Sequence, residues 1–489
     1  MSEEPFINNP DKRPVPPEFD PEQEQNKAEC AAIWYNYARE AEQEGDHDGA
    51  QMGFYNAWSE QPEEFGYFRA LVSFLQRAGQ INLLIKVYGI GIQLYPDQAE
   101  VFVNFSNLLN TYGFYERAKE LMETWLTRDA SCLPAWGNLG NALRGLGDYQ
   151  AAGGCFEKIL SVMPDHAIAG FNLSNILLAQ QADERAWRLY ENRLLLPGYE
   201  RLRRRNAAPQ WSGESLKGRS VLVYAEQGLG DTFMFSRYLS MLVELGADVY
   251  FEVQKPVAWL MEYLVGSGIR VISRPSLDLP SEEKTDYQIP LLSLAGIAFQ
   301  RGWSSRLETY RLIPTSDRSN RAWELIQGLS GVKIGLCWQG NPRAAIDCGR
   351  SLPLETFGPL MDLEIDYVSL QARDGLESIE ACSQRWERFH YLPELDEATR
   401  AYEETVALID GVDLVITSDT AVAHLAGKMG KECWVLLQKY PEWRWGLAGD
   451  TTHWYPKMRL FRQETPGNWG GVIQKVKIAL VERFPSVGS

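Results

Sequence analysis

Large apolar side chains recur with one period along the first 200 residues. Trp34, Phe68, Phe102 and Trp136 lie 34 residues apart, and Tyr37, Leu71, Phe105, Leu139 and Leu173 repeat the same step. Small residues keep the frame at Ala50, Ala118, Ala152 and Ala186. Gly45, Gly79, Gly113 and Gly147 share it, and Pro62, Pro96 and Pro164 punctuate it. This pattern predicts a helix, a turn and a second helix per unit. Glycine suits the helix C-terminus, where a left-handed residue is favoured, and proline ends the second helix. The apolar and small positions let neighbouring helices share a continuous core. An irregular bundle would have no reason to hold four glycines in strict register. Roughly five units span residues 29–196. The last decays, with Gln181 where a glycine is expected.

Beyond residue 218 the pattern changes from helical periods to short apolar runs. Residues 221–224 form a β-branched run read as a buried strand, followed by GLGD, a helical stretch and a second strand, DVYFEV. Further strands are read at VKIGLCW (332–338), DYVSLQ, residues 414–417 and ECWVLL. Strands alternating with helices predict parallel sheets. From residue 440 the pattern dissolves into an aromatic loop, KYPEWRWGLAGDTTHWYP, and a helix at about 471–483 ends the chain. The predicted organisation is a disordered segment (1–28), a helical array (29–196), a linker (197–218), a first α/β half (219–330) and a second α/β half (331–489).

Composition narrows the function classes. A formal charge of −17 argues against a dominant nucleic-acid or anionic-membrane role. The seven cysteines are scattered, with no CxxC pair, and read as reduced thiols of a cytoplasmic protein. The opening residues show no basic region followed by an apolar core, so no signal peptide is expected. No apolar run is long enough for a membrane span. No metal-ligand cluster stands out. The basic run Arg201, Arg203, Arg204 and Arg205 reads as a solvated helix face or as an edge of a cleft.

Two sets of residues suggest chemistry. Asn36, Asn104, Asn138 and Asn172 share one repeat position, with Ala70 as the gap, and Asn107, Asn141 and Asn175 share another three residues on. The two sets neighbour each other on the first helix of a unit, the helix that lines the concave face of a solenoid. An amide carries both donor and acceptor, so such a column can hold an extended backbone without reading its side chains. The alternative is that these amides cap or bridge adjacent helices. In the α/β region, Gly228 and Gly230 permit close backbone approach. Asp231 follows them at the C-terminal edge of a sheet, where such folds place their sites; it also suits a helix N-cap. In SDTAVAH, Asp419 and Thr420 stand at a helix N-terminus that attracts phosphate. His424 lies one turn along, as a ligand-facing or a structural imidazole.

The 34-residue units resemble the tetratricopeptide repeat (TPR) family, and the amide column resembles the asparagine ladder in the TPR region of O-GlcNAc transferase. EQGLGDT, WQGNP, RS, SLQ, DTAVAHLAG and WRW…WYP…RLFRQ resemble TPR-linked bacterial members of the heptosyltransferase-like glycosyltransferase family 9, across about residues 187–480. That resemblance implies a GT-B fold of two Rossmann-like domains, with a first half for the acceptor, a second for the donor and a C-terminal helix crossing back. It implies inverting, metal-independent transfer from a nucleotide sugar, with no further cofactor. Asp231 matches the catalytic base. Asp419, Thr420, Ala421 and His424 match the diphosphate-binding segment. Gly340, Asn341, Arg350 and Ser351 match the loop facing the donor phosphates, and Gln371 lies near the nucleoside. Many relatives carry a more basic stretch after GNP. Here RAAIDCG leaves Arg343 and Arg350 as its cations, so neither donor nor turnover follows from the resemblance. Related TPR-linked enzymes act on flagellin, which implies a polypeptide acceptor on the array. A lipopolysaccharide or other glycan acceptor, and a non-catalytic scaffold that binds a nucleotide sugar, are the alternatives.

Overall fold

The computed structural model describes residues 17, 26–180, 183–199, 206–274, 281–303, 316–342, 349–396 and 401–487. The expected disordered segment before residue 26 (apart from residue 17), Gln181, the basic run 201–205 and the loop 343–348 with Arg343 lie outside them. The chain divides into two compact units, Met1–Cys155 and Phe156–Ser489.

The first unit is a run of paired helices: α1 (Lys27–Glu44), α2 (His47–Glu60), α3 (Phe65–Arg77), α4 (Ile81–Leu94), α5 (Ala99–Thr111), α6 (Tyr115–Leu126), α7 (Leu133–Gly145) and the start of α8 (Tyr149–Val162). The periodic glycines explain its regularity. Gly45, Gly79, Gly113 and Gly147 have φ of 79°, 66°, 78° and 81°. Each turn closes with the same two bonds: Gly45 N–H to Glu42 O and Asp46 N–H to Ala41 O in the first, Gly147 N–H to Arg144 O and Asp148 N–H to Leu143 O in the fourth. This is the Schellman arrangement, repeated at one spacing. Asp46 and Asp148 then cap the following helices through the amides of Gly49 and Ala151. The periodic apolar positions Phe68, Leu71, Phe102, Phe105 and Leu139 are buried.

The second unit opens with α9 (Ala167–Gln180) and α10 (Glu184–Tyr190). Its first sheet contains β1 (Ser220–Tyr224), β2 (Asp248–Gln254), β3 (Ile269–Arg274) and β4 (Tyr287–Pro290), ordered β3-β2-β1-β4. Helices α11 (Leu229–Phe235), α12 (Leu239–Glu244), α13 (Ala258–Leu264) and α14 (Ser293–Gln300) accompany it, and α15 (Asp317–Gly328) follows. The second sheet contains β5 (Val332–Cys337), β6 (Ile365–Ser369), β7 (Phe389–His390), β8 (Leu414–Ser418), β9 (Cys433–Leu437) and β10 (Met458–Arg462), ordered β10-β9-β8-β5-β6-β7. Its helices are α16 (Ile379–Arg385), α17 (Glu403–Gly411), α18 (Ala421–Lys428) and α19 (Trp469–Arg483). Every strand pair is parallel. Helical repeats followed by two parallel α/β sheets are consistent with a GT-B-like architecture.

Several details depart from or add to the sequence reading. The helix pair read as the last repeat, α9 and α10, groups with the α/β unit. With no further repeat to cover it, Trp187 and Tyr190 pack edge-on against Trp443 at 5.8 and 5.7 Å. The expected linker is not free where it is described. Trp211 N–H donates to Gln288 O at 2.9 Å and Gln288 N–H to Pro209 O at 3.0 Å, so this segment lies along β4. Helix α15, for which no element was read, packs against α17. Just after the segment read as an aromatic loop comes β10, for which no strand was read, and it pairs with β9. The last helix, expected to cross back, buries Trp469, Val472, Ile473, Val476 and Leu480 in the core of the six-stranded sheet.

Candidate active site

The strand orders dictate where a site can form. β1 lies between β2 and β4, and β5 lies between β6 and β8, so neighbouring connections leave in opposite directions at the C-terminal ends of these strands. Such switch points open a crevice. The three motifs follow directly: EQGLGD after β1, WQGNP after β5 and DTAVAH after β8.

The first and third motifs touch. A Cβ on Gly230 would stand 2.9 Å from His424 Cδ2 and 3.6 Å from Ala421 Cα. Only glycine lets α11 approach α18 this closely. Asp231, in the first turn of α11, accepts a hydrogen bond at Oδ1 from Arg444 Nη2. The side chains of this pair keep 16% and 10% of their exposure, so the carboxylate lies at the edge of the packed region. Five residues earlier, Glu226 is fully enclosed. Its Oε1 accepts from Arg193 Nη2 at 2.9 Å and from the Leu292 amide at 3.3 Å. Burial pushes the Glu226 carboxyl up to about 7, against the pull of Arg193.

Around the second switch point, the Gly340 amide donates to Ser351 Oγ at 3.1 Å. The Arg350 guanidinium lies over Gly340, 3.0 Å from where a Cβ would stand. Asp419 is buried, which raises its carboxyl, while the nearby Arg350 guanidinium acts in the opposite sense. Thr420 is the N-cap of α18 without a capping side-chain bond. Its hydroxyl pairs with Thr417 Oγ1 at 2.9 Å. Ala421, half-buried, opens the helix, and Asn341 is exposed beyond β5. Gly340, Arg350, Ser351, Asp419 and Thr420 thus collect at the C-terminal ends of β5 and β8, with Asp231 reached through Arg444.

Two expected ligand contacts are occupied by the protein itself. His424 is buried and stacks on Trp445 at 5.1 Å, and its Nδ1 lies 3.1 Å from Tyr455 Oη. Burial, with the positive charges of Arg444 and Arg237, drops its imidazole to about 3, so it is neutral at pH 7. The packing favours the structural reading of this residue over the ligand-facing one. Gln371 has its amide saturated: Oε1 accepts from the Trp338 and Gln339 amides at 3.0 and 3.1 Å, and Nε2 donates to Gln339 O and Asp374 O at 2.9 and 2.7 Å. These bonds pin the turn after β5.

The asparagines also divide. Asn36, Asn104 and Asn107 are exposed on first helices of their pairs, and Asn141, Asn172 and Asn175 are half-buried. Asn138 is buried, and its Nδ2 donates to Val103 O at 2.7 Å, bridging adjacent repeats. At Asn138 the bridging alternative describes the geometry.

Residues 133–166 match the tetratricopeptide repeat model. The chain is 24% identical over 443 residues to protein FlbA of Caulobacter vibrioides, covering 79% of this chain and 73% of that protein. A glycosyl transferase family 9 structure from Veillonella parvula aligns with 55% of this chain and 98% of its own, at 13% identity and a TM-score of 0.41. YrrB, described as a TPR protein with an unusual peptide-binding site, aligns with 36% of this chain and 91% of its own, at 13% identity and a TM-score of 0.30.

Arg444, Trp445, Tyr455 and Arg237 had no role assigned from the sequence. Arg237 is buried, donates from Nη1 to Trp454 O at 2.7 Å and lies 4.7 Å from the Tyr455 ring. The visible signal was the WRW…WYP phrase, a cation between two indoles in an acidic chain. Among the described residues, no three of His, Cys, Asp or Glu gather in a metal-binding group, and no helix is long and apolar enough to cross a membrane. A cavity of about 450 Å³ lies at the opposite ends of β9 and β10, lined by Trp434, Lys457, Arg459 and Arg483 among others. None of the residues of the three strand-end motifs lines it.

Proposed function

We propose that this protein is an inverting glycosyltransferase that moves a sugar from a nucleotide-sugar donor to a polypeptide held by the TPR array. The observation that carries the reading is the junction of α11 with α18. A partly open carboxylate, Asp231, stands beside the N-terminus of a helix at the second switch point, where a diphosphate would be stabilised by free amides and the helix dipole. In this reading Asp231 takes the proton of the acceptor hydroxyl as that oxygen attacks the anomeric carbon, and the nucleoside diphosphate leaves from the opposite face. Glu226 is the other carboxylate on the same loop, but its enclosure by Arg193, Leu292 and Ser293 leaves it no route to an acceptor. Arg350, Ser351 and the Gly340 loop would face the donor phosphates. The exposed amides of Asn36, Asn104 and Asn107, with Asn141 of the same unit, would hold acceptor backbone, and Asn172 and Asn175 on α9 offer the same type of amide.

The full-length protein is to be screened with UDP-, GDP- and ADP-sugars and co-expressed candidate proteins, flagellin included. General-base catalysis contributes roughly 10²–10⁴-fold, so Asp231→Asn should lose transfer by that order while still binding the donor. Unchanged transfer in Asp231→Asn would remove Asp231 from the mechanism. Transfer to a free glycan but to no protein would move the reading to a glycan acceptor.

A further inference from the structure

Among the described residues, the two carboxylates of the EQGLGD motif each meet an arginine, and the two arginines differ in kind. Arg193 is wholly enclosed with Glu226; it also donates to Glu191 at 2.6 Å and to Ser293 at 2.8 Å. It neutralises a charge that water cannot reach. Arg444 meets the carboxylate that remains partly open. It comes from the other sheet's side of the unit, in the short turn Trp443–Trp445 after β9, 213 residues along the chain from Asp231.

The guanidinium of Arg444 is itself held on several sides. Its Nη1 donates to Glu442 Oε2 at 2.8 Å, and its plane lies 4.6 Å from the Trp443 ring centroid. Trp443 is in turn fixed by Trp187, Tyr190 and Phe235 at 5.8, 5.7 and 6.4 Å. A planar fork immobilised this way presents its N–H in one direction only. It engages Oδ1 of Asp231, and among the described residues no protein donor engages Oδ2.

We propose that Arg444 is the positioning residue for Asp231: it holds one carboxylate oxygen so that the other is aimed at the acceptor hydroxyl. The inference rests on the reading of Asp231 as the base. It assigns a purpose to the WRW turn that neither sheet motif supplies. Orientation of this kind carries large rate effects, since a misplacement of about 1 Å can cost on the order of 10²-fold. Lysine has a flexible stem and a point charge in place of the fork. It therefore keeps the charge and loses most of the aim.

The test is a double-mutant cycle in the full-length protein, using the sugar nucleotide and acceptor found by the screen above. Wild type, Asp231→Asn, Arg444→Gln, Arg444→Lys and Asp231→Asn/Arg444→Gln are compared by kcat, by KM for the sugar nucleotide and by thermal unfolding. Arg444→Gln should lower kcat by about 10²-fold with KM changed less than about threefold. Arg444→Lys should recover part of the loss while folding like the wild type. The double variant should be no slower than Asp231→Asn alone, because the arginine acts through the carboxylate. Losses that multiply in the double variant, or a raised KM with kcat intact, would overturn the proposal and make Arg444 a direct ligand of the donor. Wild-type turnover in Asp231→Asn would instead overturn the base reading, and the positioning role with it.

Discussion

The helical array and the α/β site solve the problem of specifying structure in opposite ways. In the array, each turn is set by neighbours in sequence. Gly113 adopts a φ of 78°, Gly113 N–H bonds Asn110 O, and Phe114 N–H bonds Leu109 O, all within six residues. In the site, the decisive contacts join residues far apart: Arg444 to Asp231, Arg193 to Glu226 and His424 to Gly230. A repeated surface shares its work among equivalent positions, so single changes there should act in small steps. A site built from long-range contacts should fail at single positions.

The largest effect within the array is expected when several amides are removed together. Substituting Asn104, Asn107 and Asn141 by Ala removes side-chain hydrogen bonds worth about 0.5–1.5 kcal/mol each. It should raise KM for a protein acceptor by about 10-fold or more and leave donor hydrolysis unchanged. Equal loss of both activities would break the distinction between the array and the site.

A pair of helical glycines sharpens the comparison further. Gly154 in α8 has nothing within 4 Å of a Cβ position, whereas Gly230 in α11 would place one 2.9 Å from His424. Glycine to alanine in an open helix stabilises by about 0.5–1 kcal/mol, so Gly154→Ala should raise the melting temperature. At Gly230 overpacking, typically about 1–3 kcal/mol, should outweigh that gain. Gly230→Ala should lower both the melting temperature and transfer. Shifts of the same sign in the two variants would contradict the close approach of α11 to α18.

The smallest effect at neutral pH concerns His424. Its imidazole stands near 3 in the folded protein against the usual 6.5, chiefly because it is buried. Between these values the unfolded chain takes up a proton and the folded chain does not, so stability falls as pH drops below about 6.5. Denaturant unfolding at pH 7 and pH 5 should show a shallower acid-side loss for His424→Gln than for wild type. An identical slope would mean that the imidazole is not enclosed as described.

The same contrast explains what was legible in the sequence. The repeat frame, its helix ends and the core positions followed from local periods, and the structure places a left-handed glycine at each of the four predicted turns. Strands β1, β2, β5, β6, β8 and β9 were legible as apolar runs. β10 was not, because Met458–Arg462 interleaves two exposed-type arginines with its apolar residues and follows a turn-rich stretch. The grouping of α10 with the α/β unit was not legible, because its sequence carries the repeat pattern while Trp187 and Tyr190 serve a neighbour some 250 residues later. Asp231 and Asp419 could be singled out as candidates from motifs at strand ends, and Gly340, Arg350 and Ser351 only from the family resemblance. Arg444 could not, since its partner is fixed only by the fold. Gln371 and His424 show the converse: a polar residue in a motif can be consumed by the protein's own backbone and rings.

The central claim is that Asp231 activates an acceptor hydroxyl on a polypeptide. Intact-mass spectrometry of the proteins that copurify with wild type and with Asp231→Asn, made in the same cells, tests it directly. The account predicts a partner protein that carries a glycan mass with the wild type and lacks it with the variant. Identical partner masses in both would contradict it.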